Sequence, residues 1–157
     1  MFTRLDGLET VSLRYFNVFG PKQDPHSQYA LVVPLFIHAA LRREPLVVHG
    51  DGEQSRDFTY IDNVVHANLQ AFTAPDAGGE VFNIACNERH SVMRIVHTIE
   101  QFVGHALTIQ HTPPRPGDVR HTQASIEKTV RLLGYHPTIG FDEGMRRTFD
   151  YFAPQSS

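Results

Sequence analysis

The amino-acid sequence predicts an α/β fold, because short strand-like runs alternate with helix-like segments along its 157 residues. The strand-like runs are apolar and stop at glycine or proline, whereas the helix-like segments repeat apolar residues at helical spacing. Hydrophobic residues make up 41% and charged residues 20% of the chain, which is the balance of a globular protein. With no internal repeat, residues 1–157 are expected to form a single domain with about five helices.

The first third is predicted to hold a buried strand and a helix. The strand covers residues 10–17, and a Gly-Pro pair at 20–21 closes it. After a polar loop, a helix is predicted over residues 32–43, with Pro34 tolerated in its first turn and two arginines suited to its negative end. The apolar residues at helical spacing in this segment are Val33, Phe36, Ile37 and Ala40.

The middle third is predicted to hold two short strands and a second helix. PLVVHG, residues 45–50, predicts a strand that runs into a turn rich in glycine, aspartate and serine, and TYI at 59–61 predicts another extended piece. Asp62 is the predicted N-cap of a helix that continues to Phe72. Val65, Leu69 and Phe72 stand at i, i+4 and i+7, the spacing of an apolar helix stripe.

The last third predicts two more strands, at 80–85 and 106–112, and three more helices. Ser91 is expected to cap the first of these helices and Gly104 to end it. After a proline-rich loop, a helix is predicted between Ser125 and Gly134, and a final amphipathic helix over FDEGMRRTFDYF at 141–152. Residues 152–157 are expected to be a tail.

Bulk composition disfavours several classes of function. The formal charge of −3 provides no overall positive field for nucleic acid, so no nucleic-acid partner is expected. No apolar run approaches the roughly 18 residues that a membrane helix needs, and the N-terminus lacks a signal-peptide core, so no membrane association is expected. The single cysteine, Cys86, fits a reducing compartment, and a cytoplasmic location is expected.

Several motifs that carry chemistry are missing from the sequence. It contains no G-x-G-x-x-G loop, no phosphate-binding G-x-x-x-x-G-K-[ST] loop and no G-x-S-x-G nucleophile motif. The ten histidines include no H-E-x-x-H and no pair at i, i+4, so no metal site is predicted. Asp62 and His66 could form an acid/base pair, but a helix cap beside a solvated histidine is the favoured interpretation. No catalytic residue is predicted.

Three groups of polar residues lie where apolar segments end. Asn17 follows the first strand, Arg56 lies in the turn before the TYI segment, and Arg115 and Asp118 lie in the proline-rich loop. Two arginines on neighbouring loops can clamp a diphosphate through bidentate hydrogen bonds. For each group taken alone a structural role is the stronger alternative. These alternatives are a turn at Asn17, an ion pair of Arg56 with Asp57 or Asp62, and an Arg115–Asp118 surface pair.

The order and spacing of several segments resemble a known family. LRYFNVFGP, YALVVPLFI, LVVHGDGEQSRDFTYIDNVVHA, VFNIA, RPGDV and LLGYHPTIGFDEGMRRT together resemble the C-terminal half of the extended short-chain dehydrogenase/reductases. The likeness is greatest to NAD-dependent nucleotide-sugar epimerases and dehydratases, especially UDP-glucose and UDP-N-acetylglucosamine 4-epimerases. It covers residues 10–151 and implies the substrate-binding portion of a Rossmann-type enzyme, without its N-terminal dinucleotide-binding domain.

The resemblance also implies roles for individual residues. Asn17 matches an asparagine that holds the sugar nucleotide, Arg56 matches the diphosphate arginine, and Arg115 with Asp118 matches a second arginine and an acidic partner at the nucleotide and its ribose. Tyr15 and Phe16 match residues near the nicotinamide of NAD. The remaining implied substrate-binding residues are Leu31 and Val32 in the pocket, and Val47 and His49 in the strand that receives uracil.

The sequence departs from the family at its catalytic centre. None of the five tyrosines has a lysine four positions on, so the family's Tyr-x-x-x-Lys pair is absent. In the family this tyrosine takes the proton from the sugar hydroxyl, and NAD takes and returns the hydride. We therefore expect a truncated enzyme that is inactive alone and does not bind NAD by itself. A shortened gene product and a start codon placed inside a longer reading frame both fit this expectation.

The resulting functional prediction is a UDP-sugar-binding portion of a 4-epimerase-like enzyme. A dehydratase or decarboxylase of the same family is an alternative, because these enzymes share the oxidation step. A non-catalytic interaction module is a second alternative. The expected partners are a UDP-sugar and either a Rossmann-domain half or a second copy, bound through apolar surface that half of a fold leaves exposed.

Overall fold

The computed structural model describes residues 5–24, 32–75 and 77–154, and it confirms the α/β class. Leu31, one of the implied substrate-binding residues, lies outside the described residues. The helices with fully described bounds are Val32–Leu41 (α1), Ile61–Thr73 (α2), Val92–Val103 (α3), Glu127–Leu133 (α4) and Phe141–Phe152 (α5).

The strands are short, and within the described residues they pair in twos. β1 pairs with β6, β2 with β5 and β3 with β8, all in parallel, whereas β4 and β7 pair antiparallel. The strands are Ser12–Tyr15 (β1), Val18–Phe19 (β2), Leu46–His49 (β3), Ser55–Arg56 (β4), Thr59–Tyr60 (β5), Val81–Ile84 (β6), His90–Ser91 (β7) and Ile109–Thr112 (β8).

Helix α3 confirms the predicted start and stop signals. The Ser91 hydroxyl accepts a hydrogen bond from the Arg94 N–H at 3.1 Å, which satisfies one of the free donors of the first turn. Gly104 has a left-handed backbone with φ of 75°, and its N–H donates to the carbonyl of Glu100. The predicted bounds of α5 are also confirmed, from Phe141 to Phe152.

A first core, called here the helical core, lies among α1, α3 and α5. These three helices contact one another and enclose buried apolar side chains, among them Phe36, Ile95 and Met145. Phe19 brings β2 into this core, with its ring centroid 6.3 Å from that of Phe58 in an edge-to-face arrangement. The helical core therefore anchors both β2 and the segment that leads into β5.

A second core, called here the strand core, lies between β6, α2 and α4. Phe82 and Ile84 of β6 and Tyr135 after α4 are almost completely buried in it. The Tyr135 hydroxyl donates to the carbonyl of Ala85 at 3.1 Å, so the buried polar atom is satisfied. Burial also raises the pKa of Tyr135 above its ordinary value.

The predicted cap of α2 is wrong. Tyr60 occupies the N-cap position without a side-chain hydrogen bond, and Asp62 lies inside the first turn. The Asp62 carboxylate still interacts favourably with the positive end of the helix dipole. Asn63, which the sequence did not single out, is fully buried. Its side chain accepts the N–H groups of Thr138 and Ile139 and donates to the carbonyl of Ile139, which ties α2 to the segment before α5.

The apolar stripe of α2 faces outwards. Val65, Leu69 and Phe72, called here the α2 stripe, are 50%, 61% and 87% exposed. The buried residues of this helix are Asn63, Val64 and Ala67, on another side. The helical spacing of these apolar residues predicted the stripe, but it could not predict whether another element of the chain covers the stripe.

The strand predicted over residues 10–17 is shorter and less buried than expected. Only residues 12–15 form β1, and three of these four residues are exposed. Among the described residues β1 pairs with β6 alone, so its other edge is open. Apolar residues predict that a strand is buried. The strand is buried only where other elements of the fold also cover it on each side.

Candidate functional site

A cleft of about 220 Å³ lies between α1, β3, β4 and the proline-rich loop. It brings together residues that are up to about a hundred positions apart in the sequence. Seven of the eight residues that the resemblance implied for substrate binding line it, the eighth being Leu31. These residues are Asn17, Val32, Val47, His49, Arg56, Arg115 and Asp118, and the cleft is called here the arginine cleft.

One side of the arginine cleft is apolar. Leu35 and Val47 are 43% and 46% exposed, although both belong to otherwise well packed elements. Val32, Phe58 and Val92 complete this side. The sequence did not predict Leu35, Phe58 and Val92 as cleft residues. An apolar residue that lines a cleft follows the same helix or strand periodicity as an apolar residue in the core. An apolar wall beside charged groups suits a ligand with a flat ring and an anionic end.

Arg56 is the best anchored charge of the cleft. It belongs to β4 rather than to a turn, which corrects the predicted location. Its Nη1 donates to the carbonyls of Ser55 at 2.8 Å and Arg120 at 3.2 Å, and its Nη2 pairs with the Asp118 carboxylate. With 18% of its side chain exposed, the guanidinium is held in one orientation.

The loop that carries Arg115 and Asp118 is attached to β4 through Ser55. The Ser55 N–H donates to the carbonyl of Arg120 at 2.8 Å, and the Thr122 N–H donates to the carbonyl of Ser55 at 3.1 Å. The Ser55 hydroxyl also lies 2.8 Å from Nδ1 of His121. Ser55 and His121 were not singled out from the sequence, yet they fix the distance between the two arginine-bearing segments.

The ion-pair partners expected in the structural alternatives for Arg56 and Arg115 are wrong, although Arg56 does form an ion pair with an aspartate. Asp118 pairs with Arg56 and not with Arg115. In the part of the chain that the structure describes, the Arg115 guanidinium has no carboxylate partner, and its side chain is exposed. Asp62 pairs with Arg147 at 3.5 Å, which also removes support for an acid/base pair with His66.

Asp57 is buried beneath the cleft and does not line it. Its carboxylate accepts the backbone N–H groups of Cys86 at 2.9 Å and Ala124 at 3.3 Å. Burial raises the pKa of Asp57, and the backbone hydrogen bonds oppose that effect. This carboxylate therefore joins β6 and the segment before α4 to the strand pair that carries Arg56.

Asn17 lies at the inner end of the cleft in a left-handed backbone conformation with φ of 33°, which asparagine tolerates better than most residues. Its Nδ2 donates to the carbonyl of Asp57 at 3.0 Å, and its own carbonyl accepts the N–H of Thr59 at 3.2 Å. Asn17 therefore forms the expected turn and also lines the cleft.

His49 ends β3 at the rim of the cleft. Its Nδ1 lies 2.7 Å from the Thr112 hydroxyl of β8, and its carbonyl accepts a hydrogen bond from Gln54 at 2.8 Å. Gly52 follows with φ of 78°, and a Cβ there would approach the Met93 side chain to 2.7 Å. Glycine is therefore required for the turn that carries the chain from β3 to β4.

Tyr15 and Phe16, the residues implied for the nicotinamide, are not part of the arginine cleft. The Tyr15 hydroxyl donates to Oδ1 of Asn68 on α2 at 3.1 Å, and Phe16 packs against the strand core. Among the described residues, no group of three or more potential ligands is arranged to hold a metal ion. The same residues contain no helix with the length and apolarity needed to cross a membrane.

Comparison with known proteins identifies the family. Residues 2–85, more than half of the chain, match the model of the NAD dependent epimerase/dehydratase family. The chain therefore belongs to this family. Its α/β fold is that of Rossmann-type epimerases, matched over about half of their length as a C-terminal portion.

Individual relatives make the likeness more specific. The chain is similar to the UDP-glucose 4-epimerase of Thermotoga maritima, solved with UDP-glucose, at 38% identity and a TM-score of 0.90, over 96% of this chain and 48% of that one. It is similar to the UDP-glucuronic acid 4-epimerase of Bacillus cereus, solved with UDP-glucuronic acid and NAD, at 34% identity and a TM-score of 0.87, over 96% and 47%. A UDP-N-acetyl-alpha-D-glucosaminuronate decarboxylase of Bacillus cytotoxicus is 30% identical over 94% and 47% of the two chains.

The chain spans about half the length of the relatives it matches. Its residues do not by themselves fit a bound NAD. The sequence has no glycine loop that would let a backbone approach the pyrophosphate, and the Tyr15 hydroxyl is engaged by Asn68.

Proposed function

We propose that this chain is the UDP-sugar-binding portion of an NAD-dependent nucleotide-sugar 4-epimerase-like enzyme, and that the arginine cleft receives the UDP group. One observation carries the proposal. Residues chosen from sequence resemblance alone, and scattered from Asn17 to Asp118, line a single cleft with an apolar wall and two arginines. Surface residues taken at random from the sequence would not be expected to line the same cleft.

The two arginines act on the diphosphate. Arg56 is oriented by the carbonyls of Ser55 and Arg120, so it offers a fixed pair of donors to phosphate oxygens. Arg115 is exposed and free of a carboxylate among the described residues, so it can reach the second phosphate without breaking an ion pair. Together they neutralise the charge that UDP brings into the cleft.

Asp118 changes partner when the nucleotide binds. In the absence of ligand it neutralises Arg56. A diphosphate at Arg56 repels this carboxylate, which then accepts hydrogen bonds from hydroxyl groups of the ribose. Val47, Leu35 and Val32 supply the apolar wall against which the uracil ring packs.

This chain alone contributes no proton or hydride transfer. In the complete family enzyme NAD accepts and returns the hydride, and the residues for that chemistry are not among the 157 residues. We therefore expect purified chain to convert no UDP-glucose to its epimer. Turnover by protein of verified intact mass would contradict this.

A dehydratase or decarboxylase of the same family is the second candidate, because one relative is named a decarboxylase of a UDP-linked uronic acid. Titration of the chain with UDP-glucose and UDP-glucuronic acid compares a neutral with a carboxylate-bearing sugar. Tighter binding of UDP-glucose by 10-fold or more, about 1.4 kcal/mol, disfavours the decarboxylase. Tighter binding of UDP-glucuronic acid fits a decarboxylase and equally an epimerase of uronic acids, such as the Bacillus cereus relative.

Calorimetric titration with UDP, UMP and NAD tests the proposal directly. UDP should bind, UMP should bind more weakly because it lacks one phosphate, and NAD should not bind. Arg56→Ala should weaken UDP binding by about 10- to 100-fold, the value of one or two charge-assisted hydrogen bonds. Arg94→Ala, which removes an arginine that pairs with Asp142 on the surface, is the matched control and should leave binding unchanged. Equal UDP affinity in the Arg56→Ala variant would overturn the proposal.

A further inference from the structure

Strand β4, which carries Arg56, lies between two segments from distant parts of the sequence. On one side β7 pairs with it in antiparallel orientation, with Ser91 opposite Ser55. On the other side Ser55 forms a parallel bridge with His121, shortly after the proline-rich loop. Because β4 has only two residues, its own backbone provides few hydrogen bonds that could fix the spacing of these two neighbours.

The carboxylate of Asp57, the residue after β4, links both neighbours. Its Oδ1 accepts the N–H of Cys86, before β7, at 2.9 Å, and its Oδ2 accepts the N–H of Ala124, after the bridge at His121, at 3.3 Å. Asp57 is completely buried, so water cannot take over either hydrogen bond. A side chain without acceptors at this position would leave two N–H groups unsatisfied.

The backbone of Asp57 contacts the inner end of the arginine cleft. Its carbonyl accepts a hydrogen bond from Nδ2 of Asn17 at 3.0 Å, and the Asn17 carbonyl accepts the N–H of Thr59 at 3.2 Å. Arg56, which lines the cleft, directly precedes Asp57. Asp57 is therefore joined to two cleft residues through its backbone, and to the two neighbours of β4 through its side chain.

We propose that Asp57 is a positioning residue of the nucleotide site. Its carboxylate sets the distance between Arg56 and the loop that carries Arg115, and through that distance it sets the affinity of the cleft for a nucleoside diphosphate. A charge-assisted hydrogen bond needs about 2.7–2.9 Å between its heavy atoms, so a displacement of about 1 Å breaks it. This inference rests on the proposed function, because it concerns the binding of UDP in the same cleft.

An exposed contact between the same two neighbours provides a comparison. Nε2 of Gln123 donates to the carbonyl of Asn87 at 2.7 Å, which also joins the segment before β7 to the segment after His121. Water can replace this exposed hydrogen bond when the side chain is removed, whereas it cannot reach the buried carboxylate of Asp57. Gln123→Ala should therefore leave the spacing of the two arginines unchanged.

Calorimetric titration with UDP tests the proposal on variants that circular dichroism shows to be folded. Asp57→Ala should weaken UDP binding by at least 10-fold, and Asp57→Asn, which keeps one acceptor oxygen, should recover part of the affinity. Leu133→Ala on α4 removes a buried side chain that does not line the cleft, so it lowers stability but should leave the affinity unchanged. Unchanged affinity in Asp57→Ala, no recovery in Asp57→Asn, or an equal loss in Leu133→Ala or Gln123→Ala would overturn the proposal.

Amide hydrogen exchange tests the same role without a nucleotide. The N–H groups of Ser55 and Thr122 form the hydrogen bonds that join β4 to the segment after the loop, at 2.8 and 3.1 Å. Relative to the amides of α5, these two should exchange at least 10-fold faster in Asp57→Ala, and at an unchanged ratio in Leu133→Ala. If the unmodified chain binds no UDP, the proposed function fails, and this ratio still decides whether Asp57 fixes the spacing. An unchanged ratio in Asp57→Ala overturns the positioning role even where UDP binds.

Discussion

The arginine cleft and the surface formed by the α2 stripe and β1 both leave apolar side chains exposed, but they differ in what surrounds those side chains. In the cleft, Leu35 and Val47 lie near the charged side chains of two arginines and an aspartate. On the other surface, Leu69 and Phe72 lie near the backbone donors and acceptors of an open strand. Side-chain charges can recognise a small anion, whereas a row of backbone groups on an open strand is satisfied by water or by another strand. Exposure alone therefore does not identify what an apolar surface binds, whereas the polar groups beside it restrict the chemistry of the ligand or partner.

Asp57 is buried beneath the arginine cleft, and its removal should have the largest effect on stability. Asp57→Ala leaves the buried N–H groups of Cys86 and Ala124 without an acceptor. We expect a loss of about 3 kcal/mol in the free energy of unfolding. Urea unfolding measures it, with Asp142→Ala as a surface control. A loss below about 0.5 kcal/mol would show that these two N–H groups do not depend on the Asp57 carboxylate.

Cys86, beside Asp57, should react slowly with alkylating reagents. Burial, with the negative charge of Asp57 second, raises the pKa of the Cys86 thiol to about 11. The thiolate population near pH 8 is then about 100-fold smaller than for a thiol at the ordinary value of 9.0. The alkylation rate should increase about 10-fold per pH unit until about pH 11, and unfolded chain in urea should level off near pH 9.

The same shift makes stability depend on pH. Because the folded chain holds the proton of Cys86 more tightly than the unfolded chain does, this contribution is complete below about pH 9. It is lost as the pH rises through about 11. Cys86→Ser should flatten that decline. An identical pH profile in the variant would contradict the assigned protonation state.

Arg115 provides a sharper test inside the cleft. Its guanidinium is exposed and less constrained than that of Arg56, so ordering it on a phosphate costs more side-chain entropy. Arg115→Ala should therefore weaken UDP binding by about 5- to 10-fold, less than Arg56→Ala does. A larger loss than that of Arg56→Ala would reverse the assigned order of the two arginines.

The smallest effect is expected for the α2 stripe in the isolated chain. Phe72 is 87% exposed, so Phe72→Ser should change the free energy of unfolding by no more than about 0.5 kcal/mol. A large loss of stability would mean that another part of the chain already covers Phe72.

Local signals predicted the fold well where one residue decides an element boundary. Ser91 and Gly104 bound α3 because a hydroxyl at the N-cap and a left-handed glycine act within a few residues. Prediction failed where partners are distant in sequence. The exposure of β1 depends on which strand pairs with it, and the two-residue strand β4 exists only because β7 lies opposite.

The candidate site, like the fold, was predicted in part: its polar residues were predicted, but their contacts with distant segments were not. Resemblance identified the polar residues of the cleft, but spacing could not reveal that Asp118 pairs with Arg56, 62 positions away. It also could not identify Ser55 and His121, which attach the loop to β4 through contacts between remote segments. Apolar wall residues such as Leu35 and Phe58 are indistinguishable in sequence from core residues.

The most direct test of the central claim is an amide chemical-shift titration of the isotopically labelled chain with UDP. The account predicts that shifts are confined to the arginine cleft, including Asn17, Val47 and Arg56, while the α2 stripe stays unperturbed. It also predicts that the same spectra do not change on addition of NAD. Shifts that cluster on α2 and β1, or no shifts at saturating UDP, would contradict the claim that the cleft is the nucleotide site.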